Sequence, residues 1–141
     1  MDETAQTLAA LDAAASAVGD RWSLLLVGAL LDAGPLRFGE LRERVPTIAP
    51  NILAGRLRAL EAAGLVSAEP YSARPPRFSY DLTASGRELA GPIRLLAQWG
   101  AERAGADAPP RHGACGTPLE ARLWCPTCGE PADDGAPVDH V

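Results

Sequence analysis

The sequence predicts a mainly α-helical fold with one small β-hairpin, which places it in the α+β class. Three observations predict this fold. Apolar residues recur at helical spacing through the first half of the chain, a proline and a glycine bracket a central helix, and an alternating strand pattern follows a Pro-Pro pair. With 141 residues and 47% apolar composition, the chain has room for one modest domain and a small appendage.

Two apolar helices are predicted to open the chain. Residues 3–18 are rich in Ala and Leu, with Leu8 and Leu11 at helical spacing. Asp20 is a predicted N-cap for a second helix over 21–32. That helix is apolar nearly all round, so we expect it to be the buried spine of the domain. The pair Gly34-Pro35 ends it.

A short helix and a longer one follow, separated by a tight turn at Pro46-Thr47. The short helix is predicted over 38–45, with Phe38, Leu41 and Val45 facing inward. The longer helix begins at Pro50, since proline is tolerated in a first turn, and ends at Gly64. Its core stripe consists of Leu53, Leu57 and Leu60. Its opposite face consists of Asn51, Gly55, Arg58 and Ala62, with Arg56 on a flank.

Two strands are predicted next, at 66–71 and 78–82, joined by the stiff segment SARPPR, which carries Arg74 and Arg77. A last helix is predicted from Thr83 to Glu102, capped by Thr83 or Ser85 and kinked at Gly91-Pro92. Helix, turn, helix and hairpin in this order form a winged helix-turn-helix. That fold places one helix in the major groove of DNA and its hairpin, the wing, beside the backbone.

The charge distribution separates a basic centre from an acidic end. The whole chain carries a net charge of -5, yet residues 36–77 hold seven arginines against four acidic residues, and residues 105–141 hold two arginines against six. Local charge is what meets phosphate, so the centre is compatible with DNA. An ordinary solvated face remains the alternative interpretation of the same charges.

Several segments in order resemble the HxlR-type regulators, a branch of the winged helix proteins near the MarR group. The segments are GDRW (19–22), LRFGELRERVPTIAPNIL (36–53), RLRALEAAGLV (56–66), PPRFSYDLT (75–83) and LAQWG (96–100). The resemblance implies a bacterial homodimer, paired largely through its terminal helices, that binds a pseudo-palindromic double-stranded DNA operator. Such a protein is a transcriptional regulator and not an enzyme, and we expect it in the cytoplasm at the nucleoid, without a membrane segment.

The outward face and the resemblance together name the expected DNA contacts. The resemblance implies recognition by the helix at 50–63 and a wing contact from Arg74 or Arg77. Asn51 and Arg58 are the candidates for base edges. Phosphate or minor-groove contacts are expected from Arg56, Arg74, Arg77 and Arg37.

Two positions depart from the family pattern. Ala49 stands where the family usually has a capping serine, and Gly55 replaces a polar residue that faces the groove. Several family members sense oxidants through a cysteine near the N-terminus. This chain has no cysteine before Cys115, so that mechanism does not carry over.

A second domain is predicted at 105–141, after a winged helix domain at 1–104. His112-x2-Cys115 and Cys125-x2-Cys128 are two ligand pairs, each followed by glycine, which predicts one tetrahedral structural zinc ion per chain. Residues 117–124 are expected to form a small hairpin between them. An iron-sulfur centre, a redox dithiol at CPTC, a disulfide and unrelated cysteines are the alternatives, and His140 is a poorer substitute for His112.

Two tryptophans, Trp22 and Trp99, are candidates for the walls of a pocket for a small-molecule effector, although large aromatic residues on apolar helices are more often core. The sequence holds no arrangement typical of a catalytic site, and both histidines lie in the tail. A protein-interaction module that uses the zinc tail to engage a partner is the alternative function. A thiol oxidoreductase that uses Cys125 and Cys128 is a third. The sequence indicates neither operator, effector, nor whether binding represses or activates.

Overall fold

The computed structural model describes residues 2–105 and 111–132. Six helices and five short strands occur in these residues. They are α1 (Glu3–Val18), α2 (Arg21–Ala33), β1 (Leu36–Arg37), α3 (Phe38–Arg44), α4 (Pro50–Ala62), β2 (Val66–Ala73), β3 (Pro76–Leu82), α5 (Ala84–Arg87), α6 (Ala90–Arg103), β4 (Trp124–Cys125) and β5 (Glu130–Pro131). The helices α1 to α4 lie within a residue or two of their predicted positions.

Cα packing divides the chain into two compact units, Met1–Ile93 and Arg94–Val141. The division falls inside α6, and the boundary expected between residues 104 and 105 stays a prediction. Among the described residues, no single helix is long and apolar enough to cross a membrane. Only α1 and α2 taken together, as a pair bent by 77°, reach that length and composition.

The core of the first unit is built from leucines on three helices. Each of these leucines is at most 2% exposed: Leu26, Leu30, Leu41, Leu53, Leu57 and Leu60. The predicted stripe on α4 is therefore confirmed. The prediction that α2 is the buried spine of the domain is confirmed, because most of its residues are buried or packed against the core, although Leu25 is 44% exposed.

The turns around α4 follow their sequence signals. Thr47 adopts a positive φ of 73°, and Gly64 adopts a φ of 74° just after the helix ends. Behind Gly64, the backbone N–H of Leu65 donates to the carbonyl of Leu60 at 3.0 Å, which turns the chain directly into β2. No side chain caps the start of α4 at Ala49, as its missing hydroxyl implies.

The sheet of the first unit has the antiparallel order β1-β3-β2. The strand β1 was not predicted; it pairs Leu36 with Tyr80 and Arg37 with Ser79. The wing strands run further than predicted, because pairing continues to Ala73 opposite Pro76. The connection therefore shrinks from six residues to Arg74 and Pro75, which are joined by a cis peptide bond.

The single kinked helix predicted for 83–102 is wrong. Two helices occupy this segment, and the break lies at Glu88 and Leu89, before the expected kink at Gly91-Pro92. Pro92 falls in the first turn of α6, where a helix has no partner for a backbone N–H, so proline disturbs nothing there. The predicted cap at Thr83 is confirmed, since its Oγ1 accepts from the N–H of Gly86 at 3.1 Å.

Gly86 and Gly91 should respond oppositely to alanine. A Cβ on Gly86 would lie 2.2 Å from the carbonyl oxygen of Leu65, whereas a Cβ on Gly91 meets nothing within 4 Å. We expect Gly86→Ala to lower the free energy of unfolding by at least about 1–3 kcal/mol, the usual effect of overpacking. Gly91→Ala should be neutral or slightly stabilising. Urea denaturation of both variants measures this, and equal stabilities would contradict the close packing of α5 against Leu65.

Candidate nucleic-acid interface

The outward face of α4 presents two of the predicted site residues to solvent. Asn51 and Arg58 are both exposed, while the leucines on the other side of the helix are buried. Gly55 lies between them, and a Cβ at this position would meet only the Arg58 guanidinium, at 4.0 Å. A small side chain at residue 55 would therefore fit beside Arg58 without displacing it.

Arg56 has a partner that sequence reasoning missed. Its guanidinium lies 3.4 Å from the carboxylate of Asp20, on the turn before α2. Asp20 caps α2 at the same time, because it accepts from the backbone N–H of Ser23 at 2.9 Å and from the Ser23 hydroxyl at 2.5 Å. Asp20 thus joins the first turn of α2 to the side of α4.

Burial acts against the charge of Asp20, but hydrogen bonds from Ser23 and the nearby Arg56 prevail and lower the pKa of its carboxyl. The carboxylate is therefore stabilised in the folded chain. On β3, burial of the phenol and the nearby carboxylate of Glu61 on α4 raise the pKa of Tyr80.

The wing and the start of α3 form the second part of the interface. Arg74 lies at the tip of the hairpin and Arg77 near the start of β3, and both are exposed. Arg37 stacks over the ring of Tyr71 at 4.3 Å, and its backbone N–H donates to Glu40 at 2.6 Å. A cavity of about 330 Å³ lies beside these residues, with Tyr71 and Arg77 in its wall.

The ion pairs compensate two of the central arginines and leave others without a carboxylate partner. Arg44 lies 3.2 Å from Asp32, and Arg56 is held by Asp20. With the residues that the structure describes, Arg58, Arg74 and Arg77 make no ion pair within 4 Å. Their charge remains available to phosphate or guanine.

The predicted zinc ligands lie in two pairs in the second unit. His112 Nδ1 is 3.3 Å from the sulfur of Cys115, and the thiol of Cys125 is hydrogen-bonded to Cys128. Within residues 2–105 and 111–132, no three metal-binding side chains come together. His140 lies outside the described residues.

In each pair, hydrogen bonds lower the pKa of one cysteine thiol. Hydrogen bonds with the side chain and backbone of Thr117, and with His112, lower the pKa of Cys115. Hydrogen bonds with the backbone and side chain of Cys128 lower the pKa of Cys125. The hairpin predicted at 117–124 is wrong, because β4 and β5 pair across the CPTC turn instead. Strand pairing here encloses the turn that holds Cys125 and Cys128 and does not connect it to the turn that holds His112 and Cys115.

The two tryptophans have different surroundings. Trp22 is partly buried against the core of the first unit, with Arg21 over its ring at 4.7 Å. Trp99, in the second unit, is 57% exposed and lines a cavity of about 500 Å³ with Leu95, Glu120 and Arg122. The effector pocket proposed for these two residues stays a prediction.

A helix-turn-helix with a hairpin wing and an exposed basic surface defines a winged helix DNA-binding transcriptional regulator. Residues 17–108 match the family described as HxlR-like helix-turn-helix. The chain therefore belongs to the HxlR-like family of transcriptional regulators, and the resemblance stated from its motifs is confirmed.

Relatives and solved structures agree with this assignment. An uncharacterised HTH-type transcriptional regulator of Mycobacterium tuberculosis is 41% identical over 117 residues, which span 80% of this chain and 73% of that protein. YkvN of Bacillus subtilis, another HTH-type transcriptional regulator, is 39% identical over 83 residues, or 59% of this chain and 70% of YkvN.

Two of the similar solved structures are regulators in their reduced forms. The redox regulator HypR in its reduced form has a TM-score of 0.62 at 33% identity, covering 67% of this chain and 92% of its own. The reduced form of YodB from B. subtilis has a TM-score of 0.56 at 31% identity, covering 69% and 94%. Both similarities extend over about two thirds of this chain.

The Asp20 carboxylate generates a prediction about stability and pH. Asp20→Ala should lower the free energy of unfolding by about 1 kcal/mol, the usual value of an N-cap. Asp20→Asn keeps a hydrogen-bond acceptor and should lower the free energy of unfolding by less.

The pKa of Asp20 in the folded protein lies below its ordinary value of 3.8, so the ionised carboxylate stabilises the folded state above that pH. This contribution to stability disappears as the pH falls through the folded pKa. Urea titrations at several pH values should show the stability difference between the unmodified protein and the Asp20→Asn variant narrowing in acid; a constant difference would contradict the ionic contribution.

Proposed function

We propose that the protein is a homodimer that binds a pseudo-palindromic double-stranded DNA operator and reads its sequence with α4. The observation that supports this most directly is the pair of exposed side chains, Asn51 and Arg58, on the one face of α4 that the core leaves free. A helix in the second position of a helix-turn-helix lies in the major groove, with such residues toward the bases.

The chemistry of the two side chains suggests what each reads. Asn51 carries an amide, which can donate to and accept from adenine, and Arg58 carries a fork of donors that matches the two acceptors of guanine. The outward face is short of one polar contact at Gly55, so Arg58 carries a larger share of base recognition.

The phosphate contacts fall into two groups. Arg74 and Arg77 on the wing have no carboxylate partner among the described residues and are the stronger candidates. Arg37 stacks on Tyr71 and Arg56 is tethered to Asp20, so both present a positioned guanidinium. Such contacts hold the protein in register on DNA without reading its sequence.

Exposed apolar surface on the terminal helices supports the homodimer. On α1, Leu8 and Leu11 are 60% and 62% exposed. On α6, no residue is buried, and Leu95, Leu96 and Trp99 are exposed. Apolar helix faces of this kind usually mark interaction sites. A two-fold dimer would place its two α4 helices on half-sites about one helical turn of DNA apart.

We also propose that a small molecule, or a redox or metal signal, sets the affinity for DNA. HypR is a redox regulator by name, and the three cysteines of this chain all lie in the second unit. The cavity of about 500 Å³ beside Trp99 is within the size range of ligand pockets. A regulator of this kind acts in the cytoplasm, at the nucleoid.

An alternative role as a protein-interaction module has one observation in its favour. Leu119, Leu123 and Trp124 are exposed large apolar residues in the tail, and such residues can engage a partner protein. In that case the tail, rather than α4, would carry the main binding function.

The test of the proposed function is fluorescence polarisation with labelled DNA from just upstream of the protein's own gene, with a scrambled duplex as control. Selective binding supports the regulator. Equal affinity for both duplexes, or none at low salt, would favour the interaction module.

Alanine substitution of a base-reading arginine and of a phosphate-binding arginine should weaken DNA binding in different ways. Arg58→Ala should weaken operator binding by about 1–3 kcal/mol and leave scrambled DNA nearly unaffected. Arg77→Ala should weaken both duplexes alike and reduce the slope of log K against log salt by about 1. Arg44→Ala is the matched control, since its charge is already paired with Asp32. If Arg58→Ala weakens both duplexes equally, α4 does not read the bases with this face.

The proposed dimer can be tested by substitutions on the exposed face of α1. The double substitution Leu8→Glu and Leu11→Glu places two charges on the exposed apolar face and should convert a dimer to a monomer in light scattering. Operator affinity should fall as well, because each half-site is then bound separately. Gln6→Glu is the control, as residue 6 lies about 160° around the helix from residue 8. A double variant that stays dimeric removes α1 from the interface.

A further inference from the structure

The second unit lacks the usual source of folding energy. Among residues 111–132, none is buried, and only Cys125 and Ala132 are half-buried. Leu123 and Trp124 are 63% and 62% exposed. A segment of this length without an apolar core needs a cross-link or a metal to hold one structure.

The segment contains a repeat that the cysteine spacing alone does not reveal. Residues 111–118 read RHGACGTP and residues 124–131 read WCPTCGEP. In each copy, the second position is a histidine or cysteine, the fifth a cysteine, the sixth a glycine and the eighth a proline. The two copies are 13 residues apart, so both ligand pairs occupy the same positions of one eight-residue pattern.

The backbone repeats as well. Gly116 and Gly129 adopt φ of 71° and 69°, and their N–H groups donate to the carbonyls of His112 and Cys125 at 2.7 Å and 2.9 Å. The ends of each turn also pair in the same register, Arg111 with Pro118 and Trp124 with Pro131. A side chain at either glycine would be strained, so the two turns share one conformation that glycine permits.

Each turn brings its two ligand atoms together. His112 Nδ1 lies 3.3 Å from Cys115 Sγ. In a tetrahedral zinc site, with Zn–N and Zn–S bonds of their usual lengths, the two atoms lie about 3.5 Å apart. In the other turn, the Cys125 sulfur takes hydrogen bonds from the backbone of Cys128 and Thr127. Backbone N–H groups directed at a sulfur stabilise its thiolate form, which is the form that binds metal.

We propose that these two turns are the halves of a zinc ribbon, in which His112, Cys115, Cys125 and Cys128 hold one structural Zn²⁺ per chain. Three thiolates and one imidazole suit zinc in both softness and number. The structure presents the ligands as two separate pairs, so the ion is what joins one turn to the other. Binding releases the thiol protons and supplies folding energy that the exposed segment lacks.

A site with four protein ligands has no open position, so zinc here has a structural role and does not activate water. The four ligands belong to the second unit, whereas α4 and the wing belong to the first. Zinc content is measured without DNA, so failure of this proposal can be distinguished from failure of the proposed DNA binding.

The test measures zinc in the full-length protein by elemental mass spectrometry, alongside the reactivity of its thiols with a colorimetric disulfide reagent. We expect one zinc per chain and three thiols that react only after a strong chelator is added. Cys115→Ser, Cys125→Ser and Cys128→Ser should each lose most of the metal. Thr127→Ala, inside the second turn but not a ligand, should keep it.

The histidine ligand has a matched control within the chain, since His112 and His140 are its two histidines. His112→Ala should lose zinc or bind it at least tenfold more weakly, while His140→Ala should bind it like the unmodified protein. Of the two histidine variants, only His112→Ala should change the tetrahedral absorption bands of the cobalt-substituted protein.

Limited proteolysis provides a readout that does not depend on metal analysis. Removal of zinc should expose bonds within residues 111–132 to cleavage, while the unit that ends at Ile93 stays resistant and retains its cooperative unfolding. Four results would each overturn the proposal. They are purified protein that contains no zinc and whose three thiols react before any chelator is added, iron in place of zinc, half an ion per chain, and metal loss in His140→Ala but not in His112→Ala.

Discussion

Burial of one leucine stripe on α4 is the constraint on which the candidate interface depends. Leu53, Leu57 and Leu60 enter the core formed with α2 and α3, and truncation of such a leucine typically costs about 2–5 kcal/mol. Helical geometry then leaves Asn51 and Arg58 no direction but outward. The helix cannot turn about its axis without exposing leucine and burying arginine, so the same residues that stabilise the fold fix the orientation of the recognition surface.

The ion pairs determine which of the central arginines keep an uncompensated positive charge. Carboxylates at Asp32 and Asp20 compensate two of the central arginines, Arg44 and Arg56, and place their charge beside α2. Exposed pairs of this kind contribute little to stability, about 0–1 kcal/mol. Their larger effect is on where positive charge remains. It remains on Arg58 and on the wing, which explains how an acidic protein with a net charge of -5 can present a basic surface to DNA.

Sequence predicted those parts of the fold that local signals specify. The helices α1 to α4 have apolar periodicity, and Asp20, Pro50 and Gly64 mark their ends. The two-residue strand β1 was missed because two residues have no period, and the wing strands were predicted too short because strand pairing is a long-range choice. Spacing predicted that His112 pairs with Cys115 and Cys125 with Cys128, and the structure brings the members of each pair into contact. The tether from Arg56 to Asp20 was not, since 36 residues separate the partners and no pattern connects them.

The two units of the chain obtain order by different means, and this difference bears on regulation. The first unit depends on buried leucine, which no redox or metal signal alters. The turns at His112 and Cys125 contain no buried side chain, and on the zinc proposal their order depends on a bound ion, which a metal or redox signal can remove. The helix α6 runs across the division at Ile93, and Ile93 itself packs against the leucine core. The later part of α6 carries the exposed apolar residues Leu95, Leu96 and Trp99 and belongs to the second unit. On the proposed assembly it is therefore the dimer contacts of α6, and not the leucine core that fixes α4, that share a unit with the turns at His112 and Cys125.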